Sequence, residues 1–140
     1  MLFRSLSDNV AGGVPIPDTG SIETDLREHA RSLISWLTSP LGRAVLAATM
    51  SDAARAQPEI AEVERRFYID RLQRAEAMVT RAIARGELPA DTDANAVIKT
   101  VLAPIYLRLL ITAEPINDAT ADQAARVALA AARAGVLGSG

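Results

Sequence analysis

The sequence predicts an all-α fold, a helical bundle of about five to six helices in one domain. Apolar residues recur at helical spacing along most of the chain, and alanine, the strongest intrinsic helix former, is the commonest residue. Pro, Gly or Ser stands at the ends of the periodic segments, and no segment shows the alternating pattern of a strand. The length of 140 residues suits a single domain with one core.

The two ends of the chain differ from the periodic middle. Residues 1–12 predict a short amphipathic helix that is stopped by two glycines. Residues 13–20 predict an extended, Pro-rich linker, because each proline disfavours helix in the residue before it. At the other end, residues 138–140 are Gly-Ser-Gly and predict a flexible tail.

The principal helices are bounded by residues that favour helix ends. Ser21 suits an N-cap, and Pro40 and Pro58 suit the first turn of a helix. Gly86 suits the position just after a helix end. The predicted helices lie near residues 21–38, 40–56, 58–86, 93–112 and 119–134.

The helix predicted at residues 93–112 is apolar on two opposite faces. Ile98, Val101 and Ile105 share one face, which suits packing on the protein's own core. The opposite face needs another partner, since monomers seldom expose a large apolar patch. We therefore predict a two-fold symmetric homodimer through this helix and the one at 119–134. The predicted interface residues are Val97, Pro104, Leu107, Arg108, Ile111, Ala125 and Leu129.

Charge and composition argue against several classes of protein. The formal net charge is −2, and acidic and basic residues are interleaved along the helices, which argues against a free-standing nucleic-acid binder. The chain has no Cys and one His, so it offers neither a Cys-ligated zinc site nor the Glu-x-x-His pairs of a di-iron bundle. It also lacks a Gly-x-Ser-x-Gly elbow and a Gly-rich phosphate loop. We predict that the protein is not an enzyme and has no catalytic residues, metal or cofactor.

The sequence also predicts where the protein is found. No uninterrupted apolar run reaches the roughly 18 residues of a membrane span. Residues 1–10 lack the apolar core of a signal peptide. We therefore expect no membrane partner and a cytoplasmic location.

One face of the first principal helix indicates a small-molecule cavity. His29, Leu33 and Trp36 are spaced i, i+4, i+7 and share that face. They form either a cavity wall with one polar group, or a boundary His beside a core Trp. A mostly apolar cavity would suit a hydrophobic or aromatic effector. The predicted ligand-binding residues are His29, Leu33, Trp36, Leu46, Met50, Phe67, Arg71, Met78 and Ile105.

Arg71 is the charged member of that set. By helical phase it falls among the apolar residues of the inner face of its helix. A buried cation needs a partner. Two partners fit the sequence: an acidic ligand, or Asp25 or Glu28 in a structural ion pair.

Three segments resemble the C-terminal domain of TetR-family transcriptional regulators. Leu102-Ala-Pro-Ile-Tyr-Leu-Arg-Leu-Leu-Ile-Thr-Ala-Glu-Pro-Ile116 resembles the penultimate helix of that domain and the turn that follows it. Pro15-Ile-Pro-Asp-Thr-Gly-Ser21 and Arg81-Ala-Ile-Ala-Arg-Gly-Glu-Leu88 fit in the same order and spacing. The resemblance covers nearly the whole chain.

This resemblance implies a ligand-binding and dimerisation domain at residues 21–137. Its last two helices would pair with those of a second copy as a four-helix bundle, and a small-molecule effector would bind among the preceding helices. Residues 1–12 would be the end of the helix that connects to an N-terminal helix-turn-helix. That motif is absent from this chain, so the resemblance implies DNA binding only through a domain outside it. The alternative is a small stand-alone helical enzyme or an interaction protein with the same bundle.

Overall fold

The structure, a computed structural model, describes residues 14–52 and 56–139 of the chain. Helices account for most of this part, and it contains no strand longer than a single bridge between Thr92 and Gly138. The prediction of an all-α fold is confirmed. The α-helices are α1 (Ile22–Thr38), α2 (Pro40–Thr49), α3 (Pro58–Ala84), α4 (Ala94–Leu107) and α5 (Asp118–Arg133), and a π-helical turn, Arg108–Thr112, continues α4.

The helix boundaries follow the local capping chemistry. The side chains of Ser21 and Asp93 accept hydrogen bonds from the first turns of α1 and α4. Asn117 and Thr120 form a reciprocal capping box at the start of α5. The short helix predicted before Gly12 lies outside the described residues.

The second helix is shorter than its predicted span of residues 40–56. It ends at Thr49, and Met50 is its C-cap, with φ −100° and ψ 7°. The Thr49 hydroxyl donates to the carbonyl oxygen of Val45 at 3.0 Å, a back-bond that competes with regular helix geometry. The apolar periodicity of this segment gave no sign of that end.

The linker, described from Val14 to Gly20, is fixed to α1 and α3 by hydrogen bonds. The fully buried carboxylate of Asp25 accepts from the backbone N–H of Thr19 at 2.8 Å and from its hydroxyl at 2.6 Å. From α3, Arg81 donates to the carbonyl oxygen of Pro17 at 2.6 Å. The linker is therefore part of the packed domain.

The core lies where α1, α3, α4 and α5 meet. α1 packs on α5 and α2, and α4 packs on both α3 and α5. α5 turns a stripe of small side chains inward, which lets its neighbours approach closely. The buried residues of that stripe are Ala121, Ala124, Ala125, Ala128 and Ala132.

The C-terminal residues are held against the turn that precedes α4. The backbone N–H of Asp93 donates to the carbonyl oxygen of Leu137 at 2.8 Å, and that of Ser139 donates to the carbonyl oxygen of Asp91 at 2.8 Å. Ser139 thus has a backbone hydrogen bond to the rest of the domain, and the flexible tail at residues 138–140 stays a prediction.

The segment Ala94–Thr112 is long and apolar enough to cross a membrane by length and composition, although it contains no uninterrupted apolar run of about 18 residues. Its mean hydropathy is 1.5, and 22% of it is buried within the protomer. The segment packs on α3 and α5, so it is built into the helical domain. Much of its apolar surface is left uncovered by the described residues.

Candidate functional site

A cavity of about 330 Å³ lies between the linker, α1, α3 and α4. This volume is at the lower end of the range of about 300–1,000 Å³ that is typical of small-molecule sites. Most of its wall is apolar. The lining residues are Val14, Ile16, His29, Leu33, Tyr68, Arg71, Leu72, Arg74, Ala75, Ile98, Lys99, Leu102, Ala103 and Tyr106.

The structure brings only some of the predicted ligand-binding residues to this cavity. His29, Leu33 and Arg71 line it. Trp36 and Phe67 are not in its wall, but their ring centroids lie 5.9 Å and 5.7 Å from the Arg71 guanidinium carbon. They form a layer behind the cavity that supports this cation.

The other four predicted residues do not line the cavity. Met78 and Ile105 are fully buried in the core, Leu46 is buried, and Met50 packs half-buried against the core. Helical phase identifies an inward-facing residue, but it cannot distinguish a side chain in the packed core from one that ends at a cavity. These four residues therefore lie outside the cavity wall, and their ligand-binding role stays a prediction.

The sequence interpretation missed the contributions of the linker and of two tyrosines. Val14 and Ile16 form part of the wall because the linker is bound down over α1 and α3. Tyr68 and Tyr106 also line it. The sequence did offer a sign of the two tyrosines, because the hydroxyl of a half-buried tyrosine usually has a polar group as its hydrogen-bond partner.

His29 is the buried polar group of α1 in this wall. Burial lowers the pKa of His29 to about 4, the Pro15 backbone carbonyl partly offsets this by accepting a hydrogen bond, and the nearby charge of Arg71 lowers it further. The imidazole is therefore neutral near pH 7. Its buried Nδ1 atom has no hydrogen-bond partner among the described residues, so it can accept a hydrogen bond from a ligand.

Folding stability is expected to depend on pH through His29. The folded-state pKa of about 4 lies below the ordinary histidine pKa of 6.5, so between these pH values the unfolded chain binds more protons. The free energy of unfolding is therefore highest above pH 6.5 and falls by about 3 kcal/mol in total as the pH is lowered toward and below 4. Urea unfolding at pH 7.0 and 5.0 measures it. His29→Leu should flatten this part of the profile, and an unchanged slope would contradict the assignment.

Arg71 has a different environment from the predicted structural ion pair. Asp25 is engaged with Thr19, Glu28 is exposed, and no carboxylate of the described residues lies within 4.0 Å of the Arg71 guanidinium. Arg71 instead donates a hydrogen bond to the hydroxyl oxygen of Tyr106. Burial raises the pKa of Tyr106 to about 12, so this hydroxyl stays neutral and does not cancel the charge of Arg71.

A second site for recognition is an exposed apolar face at the end of α4 and on α5. We use this name for Leu107, Leu110, Ile111 and Val127, which are all exposed. Leu107 and Ile111 belong to the predicted dimer interface, whose members Pro104 and Arg108 are half-buried.

The remaining predicted interface residues lie in the protomer's own core. Val97, Ala125 and Leu129 are at most 5% exposed, and their place in the interface stays a prediction. In the first half of α4 the large apolar side chains Val97, Ile98 and Val101 are buried, and along Ala94–Thr112 exposed large apolar side chains occur only beyond Pro104.

Arg108 and Asp122 each take part in an ion pair within the chain. Arg108 Nη1 lies 3.5 Å from Glu114 Oε2. Asp122 accepts two hydrogen bonds from Arg31, at 2.8 Å and 2.7 Å. In the described part of the chain, no group of three or more His, Asp or Glu side chains is placed to hold a metal ion.

Residues 16–128 match the protein family described as the tetracyclin repressor-like, C-terminal domain. This match covers most of the chain, which therefore belongs to that family. The all-α fold agrees with this match.

Two curated proteins are similar in sequence. One is the uncharacterized HTH-type transcriptional regulator YdeS of Bacillus subtilis (strain 168), 35% identical over 119 residues, which are 84% of this chain and 59% of that protein. The other is the HTH-type transcriptional regulator AqdR of Rhodococcus erythropolis, 35% identical over 117 residues, or 82% and 56%. The chain thus spans a little over half the length of these relatives.

The fold is also found in a solved structure. The crystal structure of the TetR family transcription regulator SCO0332 superposes with a TM-score of 0.81 over 91% of this chain and 72% of that one. The two sequences are 24% identical, so this likeness supports the fold.

Proposed function

We propose that this chain is the effector-binding and dimerisation domain of a TetR-like transcriptional regulator. It binds a small, mostly apolar molecule in the cavity between the linker, α1, α3 and α4, and it pairs with a second copy through the exposed apolar face. DNA recognition is assigned to a helix-turn-helix outside the matched residues 16–128, since both similar curated regulators are named for that motif. A cytoplasmic location fits this role.

The observation that carries the proposal is the position of the linker in the cavity wall. Val14 and Ile16 contact the cavity, and the chain before them leads directly to the N-terminal residues. A ligand that packs against these two side chains prefers one position of the linker, and so it shifts the population of that position. The cavity is thereby linked to whatever precedes the linker in sequence.

The alternative of a small helical enzyme has less support. His29 is neutral, but the described cavity places no carboxylate, Ser nucleophile or second His beside it. The lining residues offer polar groups for binding and no pair of groups for general acid–base chemistry. We therefore propose a binding role without catalysis or a cofactor.

A neutral aromatic probe tests whether the cavity binds ligands. We expect saturable binding of 2-naphthamide to the 140-residue chain by isothermal titration calorimetry. Leu102→Trp fills part of the cavity, so the probe loses packing contacts with the wall. The dissociation constant of 2-naphthamide should therefore rise at least about 10-fold.

Leu137→Trp is the matched control for this experiment. Leu137 is half-buried and packs against the core, but it does not line the cavity. Its replacement should leave the affinity for 2-naphthamide within about 2-fold of the unmodified chain. Equal binding by the Leu102→Trp chain, or no saturable binding at all, would contradict the proposed sensing role.

A further inference from the structure

Arg71 stands apart from the other arginines of its segment. Within the described residues, it makes no ion pair, although it lines a cavity. Every other arginine between residues 58 and 85 is paired with a carboxylate. These pairs are Arg65 and Arg66 with Glu62, Arg74 with Asp70, Arg81 with Asp18, and Arg85 with Glu87.

The protein holds the Arg71 guanidinium in place without neutralising it. The rings of Trp36 and Phe67 lie within cation–π distance, and the Tyr106 hydroxyl accepts one hydrogen bond. The rings contact the guanidinium without using its N–H groups, and the Tyr106 hydroxyl uses one of them, so further N–H donors remain, since arginine has five. A partly buried cation with unused donors favours an anion as its partner.

The other charged side chains of the cavity lining are also basic. Its lining includes Lys99 and Arg74 and contains no Asp or Glu. Arg74 is already paired with Asp70 at 3.0 Å, and Lys99 is exposed. Arg71 is therefore the cation best placed to bind a negative group inside an otherwise apolar cavity.

We propose that the ligand of this cavity is a small monoanion, a carboxylate carried on an apolar, ring-sized body, and that Arg71 binds its anionic group. This inference rests on the proposed function, because it names the chemical class of the effector for the same cavity. A single negative charge matches a single unpaired cation, and the apolar walls match the body. The unprotonated Nδ1 of His29 disfavours a second anionic group on the ligand and can accept a hydrogen bond from a neutral donor.

The test compares two ligands of the same shape and different charge. Calorimetry at pH 7.4 should show that 2-naphthoate binds the 140-residue chain about 10- to 100-fold more tightly than neutral 2-naphthamide, as expected for a charge-assisted hydrogen-bonded pair. Arg71→Met keeps much of the side-chain length and removes the charge. It should abolish this preference while 2-naphthamide still binds, which also shows that the variant is folded.

Arg66→Met is the matched control, since it removes a cation of the same helix that already has an acidic partner, Glu62, and does not line the cavity. It should retain the preference for 2-naphthoate. Equal affinity of the unmodified chain for both ligands would overturn the anion proposal and leave the sensing role standing. A preference for 2-naphthoate that survives Arg71→Met would overturn the role of Arg71. Failure of both ligands to bind would overturn both proposals.

Discussion

The variant Leu107→Asp is expected to be a monomer under conditions in which the unmodified chain is a dimer. Leu107 is 48% exposed in the protomer. The other members of the exposed apolar face are Leu110 and Ile111, in the π-helical turn that continues α4, and Val127 on α5. An unpaired carboxylate in a buried apolar interface loses its hydration without gaining a partner. The dimer dissociation constant should rise about 100-fold or more.

The control for this change is Leu41→Asp. Leu41 is 51% exposed on α2, so it matches Leu107 in type and accessibility but lies outside the exposed apolar face. Sedimentation equilibrium at micromolar concentration should give a dimer for the unmodified chain and for Leu41→Asp, and a monomer for Leu107→Asp. A monomeric unmodified chain would contradict the proposed interface, and so would dissociation by both variants.

The proposed interface also accounts for the composition of the segment Ala94–Thr112. The segment is apolar enough to cross a membrane, but it carries Lys99 and Arg108 and packs within the helical domain. Exposed apolar side chains at its end would be solvated in a monomer, at a cost of about 25 cal/mol per Å² of apolar surface. A two-fold interface covers the same patch on both copies.

Helical periodicity was sufficient to predict the fold and insufficient to predict which faces are covered. Ile98 and Val101 were placed correctly in the core, because an apolar stripe that faces inward packs on the core of a single domain. Val97 was placed on the exposed face but is buried, since α5 and the other helices enclose the first half of α4. That enclosure depends on the packing of distant segments, which no local pattern contains.

The cavity shows the same division between local and long-range information. His29 and Arg71 could be identified because a polar residue on an apolar helix face is conspicuous in sequence. Val14 and Ile16 could not, since their place in the wall depends on hydrogen bonds between the linker and Asp25 and Arg81. The π-helical turn after Pro104 was likewise unforeseen, although a kink is expected where a proline removes a backbone donor.

Gly42→Ala is expected to destabilise the protein severely, although alanine is normally the better residue in a helix. α1 and α2 meet at an angle at this point, where Ser39 accepts a hydrogen bond from the Gly42 N–H and donates one to the Trp36 carbonyl oxygen. A Cβ atom added at Gly42 would overlap that oxygen and lie 2.8 Å from the carbonyl carbon. Because backbone atoms cannot rotate away as a side chain does, the junction must open, at a cost of about 3 kcal/mol.

Gly86→Ala separates this steric effect from ordinary backbone strain. Gly86 has φ +83° and nothing within 4 Å of an added Cβ, so its replacement should cost only about 1 kcal/mol. Urea midpoints followed by Trp36 fluorescence give both values, and similar midpoints for the two variants would contradict the close approach of α2 to α1. Since the Trp36 ring lies 5.9 Å from the Arg71 guanidinium carbon, opening the junction should also weaken the binding of 2-naphthoate in Gly42→Ala and leave it unchanged in Gly86→Ala.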